Sequence, residues 1–351
     1  MKRLIIPVLA CLALAGCVEN NGLSTGEYAK EYLEMWMAKW NKDNGKDIKP
    51  TSLGLYILED IPGTGEVRHP DSIWIYANIT IRSLSGKIST NNYADIAKQL
   101  GTYDPSYCYT PAYSVTGEGY SYAGLDAMLD GMKLGGTRRA IIPAWMLTTS
   151  RYSSMQGYID ACTSSSHLDY TITLTDQSSD IYRHQSERIK AYMEANYPGA
   201  VHEPLIPDSD DYTDDGGFWY YSDVSSFNEA AERSAVESDM TINYTGWRLD
   251  GQVFDTTVEK TAIDAGIYNS SNSYTPQRVT FSSTWSDIQV NSSSYIDGFK
   301  AALYRMKYAG QKAVVAFASA YGYSSTAKSE ALPAYTPLVF EIELIAADEE
   351  D

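Results

Sequence analysis

The residues in this chain whose types and spacing approach a covalent or metal site are set aside one by one. The four histidines, His69, His167, His184 and His202, show no ligand spacing, so no metal or cofactor is expected. Gly22-Leu23-Ser24-Thr25-Gly26 satisfies G-x-S-x-G, but no strand precedes it to form the exposed nucleophile turn. Asp211-x-Thr213-x-Asp215-Gly216 follows a calcium loop at first, yet its twelfth position is Ser222 where a bidentate glutamate is needed. What remains is a series of short runs rich in aromatic residues: Tyr244-Thr245-Gly246, Asp250 through Phe254-Asp255, Tyr295-Ile296-Asp297-Gly298-Phe299, Ala320-Tyr321-Gly322 and Leu332-Pro333.

Those runs need elements to position them. Asp239 to Arg248 (DMTINYTGWR) alternates as a strand before an Asp250-Gly251-Gln252 turn, and LVFEIEL at 338–344 makes another strand. FKAALYRMKYAGQK at 299–312 reads as a helix and its exit. The same order occurs earlier. Ser72 to Arg82 (SIWIYANITIR) alternates before Ser85-Gly86-Lys87, LDAMLDGMKLGGTRR at 125–139 reads as helix and exit, and LDYTITL at 168–174 as a strand. Gly251 lies 165 residues after Gly86, and Met306 lies 174 after Met132. Such pairs indicate two copies of one strand-rich unit. Alternating strands, Gly/Asp turns and one good helix per copy give an α+β class.

In the second copy the runs resemble FKBP-type peptidyl-prolyl cis–trans isomerases. Tyr244-Thr245-Gly246 through Phe254-Asp255 is close to the family's YTGxLxDGxxFD, and Tyr295 to Phe299 stands where the family has V-I-x-G-W. Ala320-Tyr321-Gly322, Leu332-Pro333 and the last strand follow in the family's order. The resemblance implies two FKBP-like domains, each a twisted antiparallel sheet wrapped over one short helix. A prolyl peptide bond turns over a barrier of about 18–20 kcal/mol because rotation breaks amide resonance. No nucleophile or metal is needed; an apolar pocket that desolvates the amide and favours its twisted form lowers that barrier. By the resemblance, Phe299 is the pocket floor in place of the usual Trp, and Tyr244, Phe254, Ile296, Leu332 and Phe340 line the walls. Tyr321 donates its hydroxyl to the substrate carbonyl, and Asp255 either bonds Tyr244 or faces the twisted amide; Tyr244, Asp255 and Tyr321 form the expected catalytic set.

The first copy keeps the frame without these residues. Ile79 stands where the tyrosine belongs, Ser89 and Thr90 where Phe-Asp belongs, Leu125 at the Trp position and Thr148 at the A-Y-G tyrosine. Only Tyr170 retains an aromatic in the last strand. This copy is expected to be structural or a binding module.

The N-terminus supplies an address. Lys2 and Arg3 precede a short apolar run from Leu4 to Ala15, too short to span a bilayer, and Leu14-Ala15-Gly16-Cys17 resembles the lipobox of bacterial lipoproteins. The resemblance implies cleavage before Cys17 and a lipid anchor there, placing the protein in the cell envelope on the periplasmic or cell-surface side. Ser24-x-x-Glu27 opens a helix with Tyr28, Tyr32, Met35, Trp36 and Trp40 as its expected packing stripe. The expected organisation is a leader at 1–16, tether and helix at 17–49, a degenerate FKBP-like domain at 50–178, helix and acidic linker at 179–215, and an isomerase domain at 216–347. Cys108 and Cys162, in loops that flank the family's pocket, are a possible disulfide outside the cytoplasm.

The 351 residues carry 27 Lys+Arg against 45 Asp+Glu, a net charge of −18 that argues against nucleic acid as a partner. Proline-containing unfolded or exported polypeptides are the expected partners, with the membrane engaged through the lipid. A non-catalytic chaperone and a surface binding protein on the same scaffold remain alternative readings.

Overall fold

The computed structural model of the chain describes residues 22–206, 217–222 and 239–346. Cys17 and the 1–16 leader, the Asp211–Gly216 run and the end of the acidic linker from 207 onward lie outside the described residues. Among the described residues no helix is long and apolar enough to cross a membrane.

Two antiparallel sheets organise the chain. The first contains β1 (Tyr56–Ile61), β2 (Trp74–Ser83), β3 (Ile88–Asn91), β4 (Ala112–Val115), β5 (Thr137–Ile142) and β6 (Leu168–Ser178) in the order β1-β5-β6-β2-β3, with β4 also on β2. The second contains β7 (Val201–His202), β8 (Trp219–Ser222), β9 (Asp239–Arg248), β10 (Val253–Thr256), β11 (Gln277–Thr280), β12 (Gln289–Val290), β13 (Ser293–Ser294), β14 (Lys312–Phe317) and β15 (Leu338–Ala346). Its order is β13-β12-β11-β9-β15-β14-β8-β7, with β10 also on β9. One connectivity recurs. The series β1-β5-β6-β2 is matched by β8-β14-β15-β9, and in each case two short strands share the long one.

The expected helices are α3 (Ala123–Leu129) and α7 (Asp297–Arg305), but the copies are not limited to one helix each. Helices α2 (Ala94–Gln99) and α4 (Met155–Asp160) accompany the first sheet, and α6 (Glu259–Asp264) the second. Each of these three has only six residues, too few for an apolar period to register in the sequence. Helix α1 (Thr25–Asn44) opens on a complete capping box, Ser24 Oγ accepting from Glu27 N and Glu27 accepting from Ser24 N at 2.7 Å. Its packing stripe is offset from the expected aromatic one. Ala29, Leu33 and Met37 are buried, Trp36 and Trp40 only flank them, and Tyr32 and Met35 are exposed. The approach to α4 is close: a Cβ on Gly26 would lie 2.1 Å from the Ile159 carbonyl oxygen, leaving no room for rings there.

Side-chain alternation gives the second sheet two apolar faces. Val315, Phe317, Phe340 and Ile342 turn inward to α7, whereas Val314, Ala316 and Val339 turn outward. Helix α5 (Ile181–Asn196), capped by Asp180, covers that outer face with Ile189 and Met193. In the same buried stripe Gln185 donates to Tyr335 O at 2.9 Å and accepts from Ser319 N at 2.8 Å, so both the nitrogen and the oxygen of its amide have partners. The far side of α5 meets the first sheet through Arg188, which donates to the Tyr76 and Tyr113 hydroxyls at 2.9 and 3.1 Å. The segment read as a connector is thus a packing layer shared by both sheets.

The possible disulfide between Cys108 and Cys162 is not formed, and both thiols are free. Their loops are pinned to different partners. Cys108 N donates to Glu330 O at 2.8 Å between the two sheets, while Cys162 follows α4 beside the start of α1.

Candidate active site

The long strand β9 carries the centre of the site. Tyr244 pairs with Ile342 of β15, and two residues on, Gly246 pairs with Phe340 on one side and Asp255 of β10 on the other. Gly246 is what lets the rings meet. A Cβ there would lie 2.6 Å from Phe340 Cε1 and 2.8 Å from Phe254 Cζ, so without one these two rings close to 5.6 Å, edge to face. Strand β10 shifts register between Val253 and Asp255, which lets the adjacent Phe254 and Asp255 serve the same side.

Helix α7 brings the remaining wall. Ile296 is its N-cap, and Phe299 in its first turn is fully buried, with ring centroids 5.4 Å from Tyr244 and 5.1 Å from Phe340. Tyr321 ends the 3-10 turn Ser319–Tyr321 that follows β14, and Leu332 lies in the connection to β15; both are buried in the same cluster. Ile296 and Phe254 pack partly buried against it. All eight residues singled out from the sequence therefore meet one cluster on the inner face of the second sheet, with Asp255 joined to it through Tyr244.

The Tyr244 hydroxyl donates to Asp255 Oδ2 at 2.9 Å and shares a second hydrogen bond of 2.9 Å with the Tyr295 hydroxyl. Asp255 keeps an accessible face, yet surrounding protein partly desolvates its carboxyl and pushes its pKa up, opposed by hydrogen bonds from Tyr244 and the Thr256 backbone. Burial, and next the charge of Asp255, raise the Tyr244 pKa, so this hydroxyl stays protonated and a donor at neutral pH. Tyr323 is pushed up to about 12 by burial, with smaller contributions from Tyr295 and Asp255. Tyr295 and Tyr323 belong to the site and were not picked out from the sequence. Tyr295 packs 4.9 Å from Phe299 and immediately precedes Ile296, at the Val position of V-I-x-G-W, where the sequence reading gives it no role in the site.

The first sheet holds different residues at the matching register positions. Ile79 pairs with Ile172 as Tyr244 pairs with Ile342, Thr90 pairs with Ile81 as Asp255 pairs with Gly246, and Tyr170 pairs with Ile81 as Phe340 does with Gly246. Leu125 is the third residue of α3, as Phe299 is of α7. One assignment changes. The 3-10 turn after β5 is Ala144–Met146, so Met146 and not Thr148 occupies the place of Tyr321. Counting through loops of unequal length misplaces the residue by two; strand register does not.

Residues 271–345 match the family of FKBP-type peptidyl-prolyl cis-trans isomerases. The match includes Ile296, Phe299, Tyr321, Leu332 and Phe340 and begins after Asp255. No curated protein matches the chain. Among solved structures, a peptidyl-prolyl cis-trans isomerase from Pseudomonas syringae pv. tomato is 21% identical, covering 46% of this chain and 92% of its own, with a TM-score of 0.29. The three FKBP domains of wheat FKBP73 are 14% identical over 83% of this chain and 94% of their own, TM-score 0.27. FkpA from Escherichia coli is 18% identical over 44% of this chain and 62% of its own, TM-score 0.28. Scores this low carry no argument, and the family match stands on the sequence of its segment. The C-terminal part of the chain thus carries an FKBP-type peptidyl-prolyl cis–trans isomerase domain.

Proposed function

We propose that the chain is a peptidyl-prolyl cis–trans isomerase that assists the folding of exported proteins, with its catalytic pocket in the 216–347 domain and a non-catalytic FKBP-like domain at 50–178. A lipid on Cys17 would hold it in the cell envelope, on the periplasmic or cell-surface side, where proline-containing unfolded polypeptides are its partners. The observation that carries this reading is the Tyr244–Asp255 hydrogen bond set against the Phe254, Phe299 and Phe340 rings. Rings around the proline strip water from the amide, and a less hydrated amide loses less on giving up its planar, more polar form. Tyr321 donates to the substrate carbonyl, and Asp255, with its accessible face, meets the twisting bond. Phe299 in the place of a larger Trp leaves a wider floor. No proton leaves the substrate and no covalent bond changes.

A protease-coupled isomerisation assay on X-Pro tetrapeptides tests the reading with the full chain. The expected result is acceleration over the uncatalysed rate that falls at least about tenfold in Asp255→Ala. An unchanged rate in the wild-type protein moves the assignment to a non-catalytic chaperone or surface binding lipoprotein.

A further inference from the structure

We infer that the first sheet carries a second, non-catalytic binding cleft for large apolar side chains of an extended, uncharged polypeptide segment, lined on one side by the 327–334 loop of the second sheet. The cleft has a volume of about 1040 Å³. Ile79, Leu125 and Tyr170 line it, at the register positions that in the second sheet hold Tyr244, Phe299 and Phe340. Ser89 also lines it, where the second sheet has Phe254. Three of the four aromatic rings are replaced by smaller groups. Space that rings fill in the second sheet is open in the first, and it is wider than a prolyl ring requires.

The lining chooses the ligand class. Among the described residues that line it, Lys328 and Glu330 are the charged members, one of each sign, in a chain of net charge −18. Nothing there selects an anion or a cation. Exposed Ser89 and Thr90 offer hydroxyls to a peptide backbone, and Tyr120 and Tyr122, 69% and 40% exposed, offer ring faces for stacking. An aliphatic floor, aromatic flanks and neutral hydrogen-bonding groups fit phenylalanine-like side chains on an extended chain.

The far wall belongs to the second sheet. Ala327, Ser329 and Pro333 line the cleft, and the Cys108–Glu330 backbone hydrogen bond holds this loop against the first sheet. Leu332, adjacent to Pro333, is buried in the Tyr244–Phe299 cluster, so one loop borders both sites. A polypeptide held in the cleft would present its prolyl bonds at raised effective concentration to the neighbouring pocket; that consequence rests on the proposed isomerase activity, whereas the cleft does not.

Fluorescence anisotropy of the full chain with a fluorescein-labelled, C-terminally amidated hexapeptide of alternating serine and phenylalanine tests the site. Saturable binding is expected, absent for the serine–alanine control and unchanged by Asp255→Ala. Thr90→Trp and Ala327→Trp, both at exposed positions on opposite walls, should each weaken binding about tenfold or more with the thermal melt preserved. If one of these variants fails to fold, the other decides. No binding by the wild-type chain, undiminished binding in the folded variants, a loss confined to Ala327→Trp, or loss in Asp255→Ala overturns the assignment to the first sheet; a loss confined to Thr90→Trp overturns the shared wall.

Discussion

The Tyr244 hydroxyl and the Asp255 carboxylate meet at 2.9 Å across the β9–β10 pair, although Tyr244 and Asp255 stand on opposite sides of a tight turn in the sequence. The bulge at Phe254 makes the meeting possible, and it leaves a carboxyl that is hydrogen-bonded yet accessible.

Tyr244→Phe removes a donor from Asp255 and the partner of Tyr295. Because the Tyr244 hydrogen bond is the main influence holding the Asp255 pKa down against desolvation, that pKa should rise further in the variant. Carboxyl-carbon NMR titration reads it directly, and a fall in the pKa contradicts the assigned hydrogen bond. The stability loss in urea should be about 1–2 kcal/mol.

Asp255 has a folded-state pKa raised above its usual 3.8. Its contribution to stability is therefore fully present below 3.8 and is lost as pH rises through the folded value. Asp255→Asn, which cannot ionise, should gain in relative stability as pH rises from acid to neutral. Urea midpoints at several pH values give the comparison; a gap that stays constant means Asp255 is not perturbed.

Gly246→Ala should disturb the site without touching its polar groups. The added methyl would press on Phe340 and Phe254, and relief requires these rings to move, at a cost of about 1–3 kcal/mol. Isomerisation should fall along with stability. An alanine variant with wild-type melting and rate would show that the rings yield freely.

His167 is buried against α1, its ring 5.9 Å from Tyr32 and 6.1 Å from Trp145, and its Nδ1 accepts from Ala144 N. Burial lowers its pKa from 6.5 to about 4. The neutral ring thus favours the fold above pH 6.5, and that stability, about 3 kcal/mol, drains away as pH falls from 6.5 through about 4. His167→Gln should flatten the acid limb of the stability profile, followed by tryptophan fluorescence. An acid limb identical to wild type would assign the loss to other groups.

Arg188 stacks 4.2 Å over the Tyr76 ring while bonding the Tyr76 and Tyr113 hydroxyls, and joins α5 to the first sheet. Arg188→Ala should cost on the order of 2–3 kcal/mol and expose the α5 region to protease. Unaltered cleavage kinetics would mean the remaining contacts, such as Trp74 edge-on to Tyr335 at 4.7 Å, suffice to hold the two sheets together.

Short-range signals were legible in the sequence. The Asp239–Arg248 strand, the Ser24–Glu27 capping box and the helix expected within 179–215, found at Ile181–Asn196, are written in periodicity and cap chemistry acting within a turn or two, and local sterics enforce them wherever they occur. The order of the aromatic runs was equally visible, because each run ends or begins an element. Register, bulges and unequal loops lie beyond that range. They decided that Tyr295 shares a hydrogen bond with Tyr244, that Met146 replaces the Tyr321 position, and that Cys108 and Cys162 stay apart. They also made α5 a layer between two sheets and opened the cleft over Ile79 and Leu125. Such features depend on which distant backbones pair and how closely they pack, and free volume between packed elements has no local signature in a chain.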